Sequence, residues 1–502
     1  MSRLATFGRL VAWTWALVRA DAIVPRELDP VLPPTARRIA VAVRIFAGPQ
    51  ARQGRPGERL AHTLERLGPA AIKLGQVLST RADIFGRTFA EDLSRLKDQL
   101  PPFPTAQARA IIESELGHPV EALFTTFGEP IGAASIAQAH PATLADGRKV
   151  AVKVLRPGIE QRIARDIQVL EMAAGFIEDT GPIAARLEPR ALANIVARSL
   201  ELELDLRLEA AGASELRDVM AQDGYMRAPG VVWDGVGKRV LTLDWAEGVA
   251  LSDPAALDLP GLDRRLVADN LVRAFLAQAL DHGVFHADLH EGNLFVSAPG
   301  TLTAVDFGII GRLDHVARRH LAEILWGFLQ RDYMRVAKAH FDAGYVPPRH
   351  SIEAFAQALR AVGEPNVGRP SGSVSMGRLL GLLFEITALF DMHLRPELVL
   401  LQKTMVTVEG VARKLDPGHN LWSAAEPVVR RWITRELSPV ARAKELAEDA
   451  VRALQALARL AENAAAPAVV VEAAPPRTAR LWWYLLGAAT AGAAFLAGAL
   501  LH

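Results

Sequence analysis

His286-Ala-Asp-Leu-His-Glu-Gly-Asn293, followed thirteen residues later by Asp306-Phe-Gly308, is the stretch that decides the fold. Asp288 and Asn293 stand five residues apart in one polar loop. That spacing sets a carboxylate toward an attacking oxygen and an amide oxygen toward a metal on phosphates. Leu294-Phe-Val296 and Leu302-Thr-Ala-Val305 can pair as a hairpin around Pro299-Gly300, which brings Asp306 back beside Asn293. Two oxygen ligands meeting at one point suit Mg²⁺, which fills its other positions with phosphate and water.

Upstream, Val150-Ala-Val-Lys153 reads as a strand that aims an ammonium at the α and β phosphates of ATP or ADP. The ammonium needs a carboxylate to hold it, and Glu203-Leu-Asp-Leu-Arg-Leu-Glu209 offers candidates. Glu209 is the best candidate; on a helix Asp205 shares its face while Glu203 lies off it, so Asp205 is a rival. The catalytic set expected is therefore Asp288, Lys153 and Glu209, with Asn293 and Asp306 on the metal. This order of motifs is the outline of a protein-kinase-like, bilobal α+β fold, a small mixed lobe followed by a larger helical one. A glycine-rich loop should precede the lysine strand, yet Ile131-Gly132-Ala133-Ala134-Ser135-Ile136-Ala137 stands there. Its small residues still allow close approach to phosphates, and alanines should make it stiffer than a glycine loop.

Composition narrows the alternatives. Lys plus Arg is 57 against 56 for Asp plus Glu, so no basic field argues for nucleic acid. No cysteine is present, which excludes disulfides, thiolate zinc sites, iron–sulfur clusters and a cysteine nucleophile.

Leu481 to Leu501 carries no charge and as a helix would reach roughly 31 Å, enough to cross a bilayer. Trp482, Trp483 and Tyr484 beside Arg477 and Arg480 supply an aromatic and cationic belt on the cytoplasmic side. The run is read as a transmembrane helix rather than a core helix, and Gly487, Ala491, Gly492 and Gly498 would let two copies pack as a homodimer. Asn463 to Arg480 is a Pro-containing linker. At the other end, Arg3, Arg9, Trp13 and Trp15 fit an amphipathic helix at a membrane or packing surface. A signal peptide there would export the domain away from ATP. The expected organisation is a helical, interfacial segment over 1–57, a helical extension over 58–116, a small lobe over 117–248, a helical lobe over 249–440, a helix and linker over 441–480, and the span over 481–501.

Lys73-Leu-Gly-Gln76, Glu203-Leu-Asp205, the Ala-rich loop, Arg395-Pro-Glu-Leu-Val and Glu409-Gly-Val-Ala-Arg-Lys-Leu-Asp-Pro417 together resemble the UbiB/AarF family of atypical kinases over roughly 58–425. The resemblance implies that Lys73, Gln76, Glu203 and Asp205 form a regulatory set over the site where a kinase would receive a protein, with Lys73 paired to Glu203 and Lys153 to Glu209. It implies ATP hydrolysis more than protein phosphorylation, and support of ubiquinone biosynthesis at a bacterial inner membrane through membrane lipid, quinone-modifying enzymes or lipid-like intermediates. Three departures stand out: Gly132 where alanine is usual, and Leu289 and Glu291 where prolines are common, the last placing an extra carboxylate near the metal. The expected activity is a membrane-anchored ATPase or small-molecule kinase. The rivals are a nucleotide-gated scaffold and an active protein kinase, the latter disfavoured by Ala287 in place of the H-R-D arginine and by the lack of an A-P-E motif.

Overall fold

Period-two burial builds the small lobe. In the computed structural model, strand β4 (Lys149–Leu155) buries Val150, Val152 and Val154 completely. Ala151 and Lys153 point to the opposite face. The structure describes residues 3–22, 38, 41–48, 51, 54–79, 87–93, 96, 100–179, 188–364, 386, 389–392 and 396–436.

Ahead of the sheet come α1 (Arg3–Arg19), α2 (Pro56–Leu67), α3 (Pro69–Ser79), α4 (Arg87–Leu93) and α5 (Thr105–Leu116). The sheet is antiparallel, in the order β1 (Phe124–Phe127), β3 (Ala137–Leu144), β4, β5 (Val240–Asp244), with β2 (Gly132–Ala133) added on β3. Asp146-Gly147 turns β3 into β4, and Gly147 takes the positive φ that the turn requires. One face of the sheet packs Val150, Val152 and Val154 on Ala108, Ile111 and Ile112 of α5. The other carries Lys153 toward α6 (Ile159–Asp179), α7 (Pro189–Glu203) and α8 (Leu206–Asp223), inserted between β4 and β5.

After the short strand β6 (Val249–Ala250) the chain is mainly helical. Asp263 caps α9 (Arg264–Ala277), which a π-turn over Gln278–His282 and left-handed Gly283 terminate. Strands β7 (Val284–His286), β8 (Leu294–Ser297), β9 (Thr301–Ala304) and β10 (Ile310–Arg312) follow, pairing β6–β8–β9 and β7–β10. The larger lobe then closes with α10 (His315–Leu329), α11 (Tyr333–Asp342), α12 (Ile352–Gly363), α13 (Pro396–Leu415) and α14 (Leu421–Glu436). Residues 1–434 form one compact unit.

Among the described residues no helix is long and apolar enough to cross a membrane. The run 481–501, expected to span, and the linker before it lie outside the described residues. Helix α1 is amphipathic in a sense the sequence did not reveal. Trp13 is buried in the core, and Arg9 turns inward to Asp166 of α6 at 2.6 Å. Leu4, Phe7, Val11 and Trp15 face solvent.

Candidate active site

Lys153, Glu209 and Asp306 meet where the two halves of the chain converge. The Lys153 ammonium donates to both carboxylate oxygens of Glu209, at 2.8 and 2.9 Å, and to Asp306 Oδ1 at 3.3 Å. Burial alone would lower the lysine, but the Asp306 and Glu209 charges override it and hold it above its ordinary value. The same ammonium keeps the Asp306 carboxyl down at about 2. Burial lifts Glu209 to about 7 against the pull of Lys153, with Asp306 adding to the rise. The ammonium thus favours the ionised form of Asp306.

Asp205 does not compete for the lysine. The helical register expected across Glu203–Glu209 breaks: α7 ends at Glu203, and Asp205 has extended backbone and caps α8 by accepting from the Arg207 amide. Its carboxylate also takes the Arg207 guanidinium, at 2.8 and 2.7 Å. Glu203, at the end of α7, accepts from Lys73 of α3. Gln76, one turn further along α3, is half-buried. Between these elements the chain runs from the Lys73–Glu203 pair through the Asp205 cap to Glu209.

The loop after β7 holds its own geometry. The Asp288 amide donates to His286 Nδ1 at 3.1 Å, which leaves Nε2–H to donate to the Val305 carbonyl at 3.2 Å. Burial lowers the His286 pKa and favours this neutral ring. Asn293 Nδ2 donates to the Asp288 carbonyl at 3.1 Å. The Val305 amide donates to the Asn293 carbonyl at 2.9 Å, so the β8–β9 hairpin sets Asp306 next to Asn293. Asp306 itself adopts a left-handed φ of 61°, a conformation that costs energy outside glycine and asparagine-like residues.

These residues fit a hard divalent cation. The Asn293 amide nitrogen is committed to Asp288, so Oδ1 is its coordinating end, and Asp306 supplies an anionic oxygen. Among the described residues no group of three or more His, Asp and Glu could hold a metal by itself. A cation here would take its remaining ligands from phosphate and water. Glu291, the extra carboxylate expected near the metal, opens the 3₁₀ turn that contains Asn293 and has a counter-charge of its own. Its Oε2 accepts from Lys414 of α13 at 2.5 Å, so its charge is already matched.

The Ala-rich segment lies across the sheet edge. Ile131 is exposed, whereas Ser135, Ile136 and Ala137 are buried and Ala133 and Ala134 lie between. The Arg156 guanidinium donates to the carbonyls of Ala134, Pro101 and Leu100, tying this segment to the preceding chain. No local motif marked Arg156 or Thr404, and Lys414 lay in the 409–417 motif without a role assigned; each acts across long sequence separation.

Residues 95–340 match the ABC1 atypical kinase-like domain, and residues 359–420 match the UbiB helical domain. A protein of Marinobacter nauticus named "Probable protein kinase UbiB" is 39% identical over 451 residues, covering 89% of this chain and 82% of that protein. One of the same name from Xylella fastidiosa is 39% identical over 397 residues, covering 78% and 72%. The fold is also that of Rv3197 of Mycobacterium tuberculosis in its erythromycin complex, with a TM-score of 0.51 at 23% identity over 73% of this chain and 93% of that one. With β4, α8 and the β7–β9 loops in the arrangement described, this chain belongs to the UbiB family of atypical kinase-like proteins.

Proposed function

We propose that the protein is a Mg²⁺-dependent ATPase or small-molecule kinase that supports ubiquinone biosynthesis from the surface of a bacterial inner membrane, its catalytic domain on the cytoplasmic side. The observation that carries the reading is the convergence of Lys153, Glu209 and Asp306 beside the Asp288–Asn293 loop. MgATP, when bound, supplies the phosphoryl group. Lys153 neutralises the α and β phosphates while Glu209 holds its ammonium in place. Asn293 Oδ1 and Asp306 ligate the metal. Asp288 orients or deprotonates the acceptor, either water or a lipid-like hydroxyl. The 131–137 segment covers the phosphates, its few Cβ atoms allowing backbone approach.

The membrane half of the reading rests on the outward row of Leu4, Phe7, Val11 and Trp15 and on the uncharged run 481–501. Membrane lipid, quinone-modifying enzymes and a second copy through the tail are the partners it implies. Asp288→Asn is the decisive variant. It is expected to bind MgATP like wild type, to lose ATP hydrolysis, and to leave quinone production undone in a deletion strain profiled by mass spectrometry. Full complementation by Asp288→Asn would replace the catalytic reading with a nucleotide-gated scaffold.

A further inference from the structure

Helix α13 carries two side chains that reach the catalytic loop from behind, one at each end. Thr404 Oγ1 donates to the Ala287 carbonyl at 2.9 Å in a fully buried contact, immediately before Asp288. The same hydroxyl lies 2.9 Å from the Leu400 carbonyl of its own helix. A hydroxyl has one proton. The Leu400 carbonyl already receives the Thr404 amide in the i to i−4 ladder. Ala287 sits past the end of β7, outside any strand, so the proton serves it better. Thr407, by contrast, returns its hydroxyl to Lys403 of its own helix, as threonines in helices commonly do.

At the other end Lys414 Nζ donates to Glu291 Oε2 at 2.5 Å and to the Leu251 carbonyl at 3.3 Å. Glu291 opens the 3₁₀ turn that contains Asn293. Ten residues of helix separate Thr404 from Lys414, about 15 Å, so one rigid rod fixes both flanks of the loop. Between them Leu289 is fully buried, a third anchor on the core side. A group that sets the separation of Asp288 from Asn293 acts on alignment, where small misplacements are costly.

We infer that Thr404 and Lys414 are positioning residues: α13, within the segment matched to the UbiB helical domain, braces the loop so that the Asp288 carboxylate and the Asn293 amide hold their separation. The inference rests on the proposed catalytic reading and adds the element that makes the loop competent. It also accounts for Glu291: with Lys414 opposite, a glutamate supplies by ion pairing the rigidity that a proline supplies covalently.

The test uses the full chain. Thr404→Val is expected to lower kcat for ATP hydrolysis about fivefold to tenfold, leaving Kd for MgADP within about twofold because the Lys153 side of the site is untouched. Hydrogen exchange should quicken in residues 286–296 and stay unchanged in the β3–β4 hairpin. Thr404→Ser, which keeps the hydroxyl, should restore both. Lys414→Met and Glu291→Gln should each lower kcat in the same sense, and the double variant should be no worse than either alone. Wild-type kcat together with wild-type exchange in Thr404→Val would overturn the brace. So would exchange that rises across the whole chain with nucleotide affinity lost in parallel, since that marks a general packing defect. A wild type that binds MgADP without turnover would sink the catalytic reading separately; the exchange measurement then still decides whether α13 holds the loop.

Discussion

Lys153 on β4 and Glu209 on α8 are joined by both carboxylate oxygens, at 2.8 and 2.9 Å, the ion pair that protein kinases need in place before phosphoryl transfer. Asp306 completes the group at 3.3 Å from the same ammonium. Lys153→Met leaves two carboxyls facing each other with no cation, and Asp306→Asn removes the anionic metal ligand. Each variant is expected to abolish stabilisation by MgATP. Wild type should gain about 2.7 kcal/mol at a hundredfold excess of ligand over Kd, a rise in Tm that a thermal-shift assay resolves. Wild-type shifts in both variants would refute the nucleotide site.

The pair of Lys73 and Glu203 links α3 to the end of α7 with both side chains largely buried. Removing one partner strands the other without its counter-charge, at a cost on the order of 3–5 kcal/mol. Because Glu203 leads through the Asp205 cap into the helix that bears Glu209, Lys73→Ala should also change ATP turnover. A double-mutant cycle with Glu203→Gln isolates the coupling in urea melts, and a coupling of zero would show that the pair contributes nothing to holding α3 on α7.

How much of this was legible in the sequence depends on range. The β8–β9 hairpin and the strand bearing Lys153 were readable because short motifs and period-two burial act within a few residues. Glu209 was rightly preferred for the lysine, but what removes Asp205 as a rival was not legible. Periodicity assumes an unbroken helix, and the chain breaks at Leu204 so that Asp205 can cap. The partner of Glu291 was hidden for a different reason: its counter-charge, Lys414, lies on a distant helix that local spacing cannot reveal. Arg9 was expected with Arg3, Trp13 and Trp15 in a helix at a membrane or packing surface, and which of these side chains turn inward was not legible; the buried Asp166 draws Arg9 into the protein. Burial raises Asp166 while Arg9 opposes the rise, an attraction invisible before α1 and α6 are docked.

Gly132 occupies open space: a Cβ there meets nothing within 4 Å, and its φ is not left-handed. Gly132→Ala should therefore fold normally and gain roughly 0.4–1 kcal/mol by narrowing the unfolded ensemble. Gly248 is its opposite, with φ at 106° and a Cβ that would stand 2.3 Å from the Val296 carbonyl. Gly248→Ala should cost at least about 2 kcal/mol. Thermal melts of the two variants side by side check both statements, and a destabilised Gly132→Ala would mean that the segment needs its glycine.

His340 on α11 is buried against Tyr345 and Phe355, and burial lowers it to about 4. In the unfolded chain it titrates near 6.5. Between those values the unfolded state binds more protons, so stability falls as pH drops from 6.5 and levels off below 4. The loss from this one group is roughly 3 kcal/mol across the window. His340→Phe should flatten that part of the stability profile measured by urea melts from pH 7 to 4. An unchanged slope would show that the ring takes up its proton in the folded state.

Helix α1 turns an apolar row outward. Its one mid-helix cation, Arg9, is turned inward to Asp166, and Thr6 turns to Gln168 of α6 at 3.4 Å. Outward stand Leu4, Phe7, Val11 and Trp15, spaced as one helical row, and Ile45 and Phe46 extend it, with Trp15 and Phe46 rings 5.6 Å apart. Leu4 is 83% exposed and Ile45 79%, and no acidic residue occurs in α1. A helix that turns its mid-helix charge inward and shows a row of large apolar side chains fits insertion into the headgroup boundary. Burying a side chain of this size is worth about 1.5–3 kcal/mol, so Phe7→Glu with Trp15→Glu should weaken vesicle binding by tenfold or more, roughly. The comparison is made by flotation with anionic phosphatidylglycerol liposomes, both in the full-length chain and in one truncated after Glu462, where the uncharged tail cannot mask the effect. Both side chains are exposed, so the MgATP thermal shift should be unaltered and serves as the control for folding. If the truncated double variant floats as well as the truncated parent, the outward row does not contact lipid, and membrane attachment has to be sought in the tail alone.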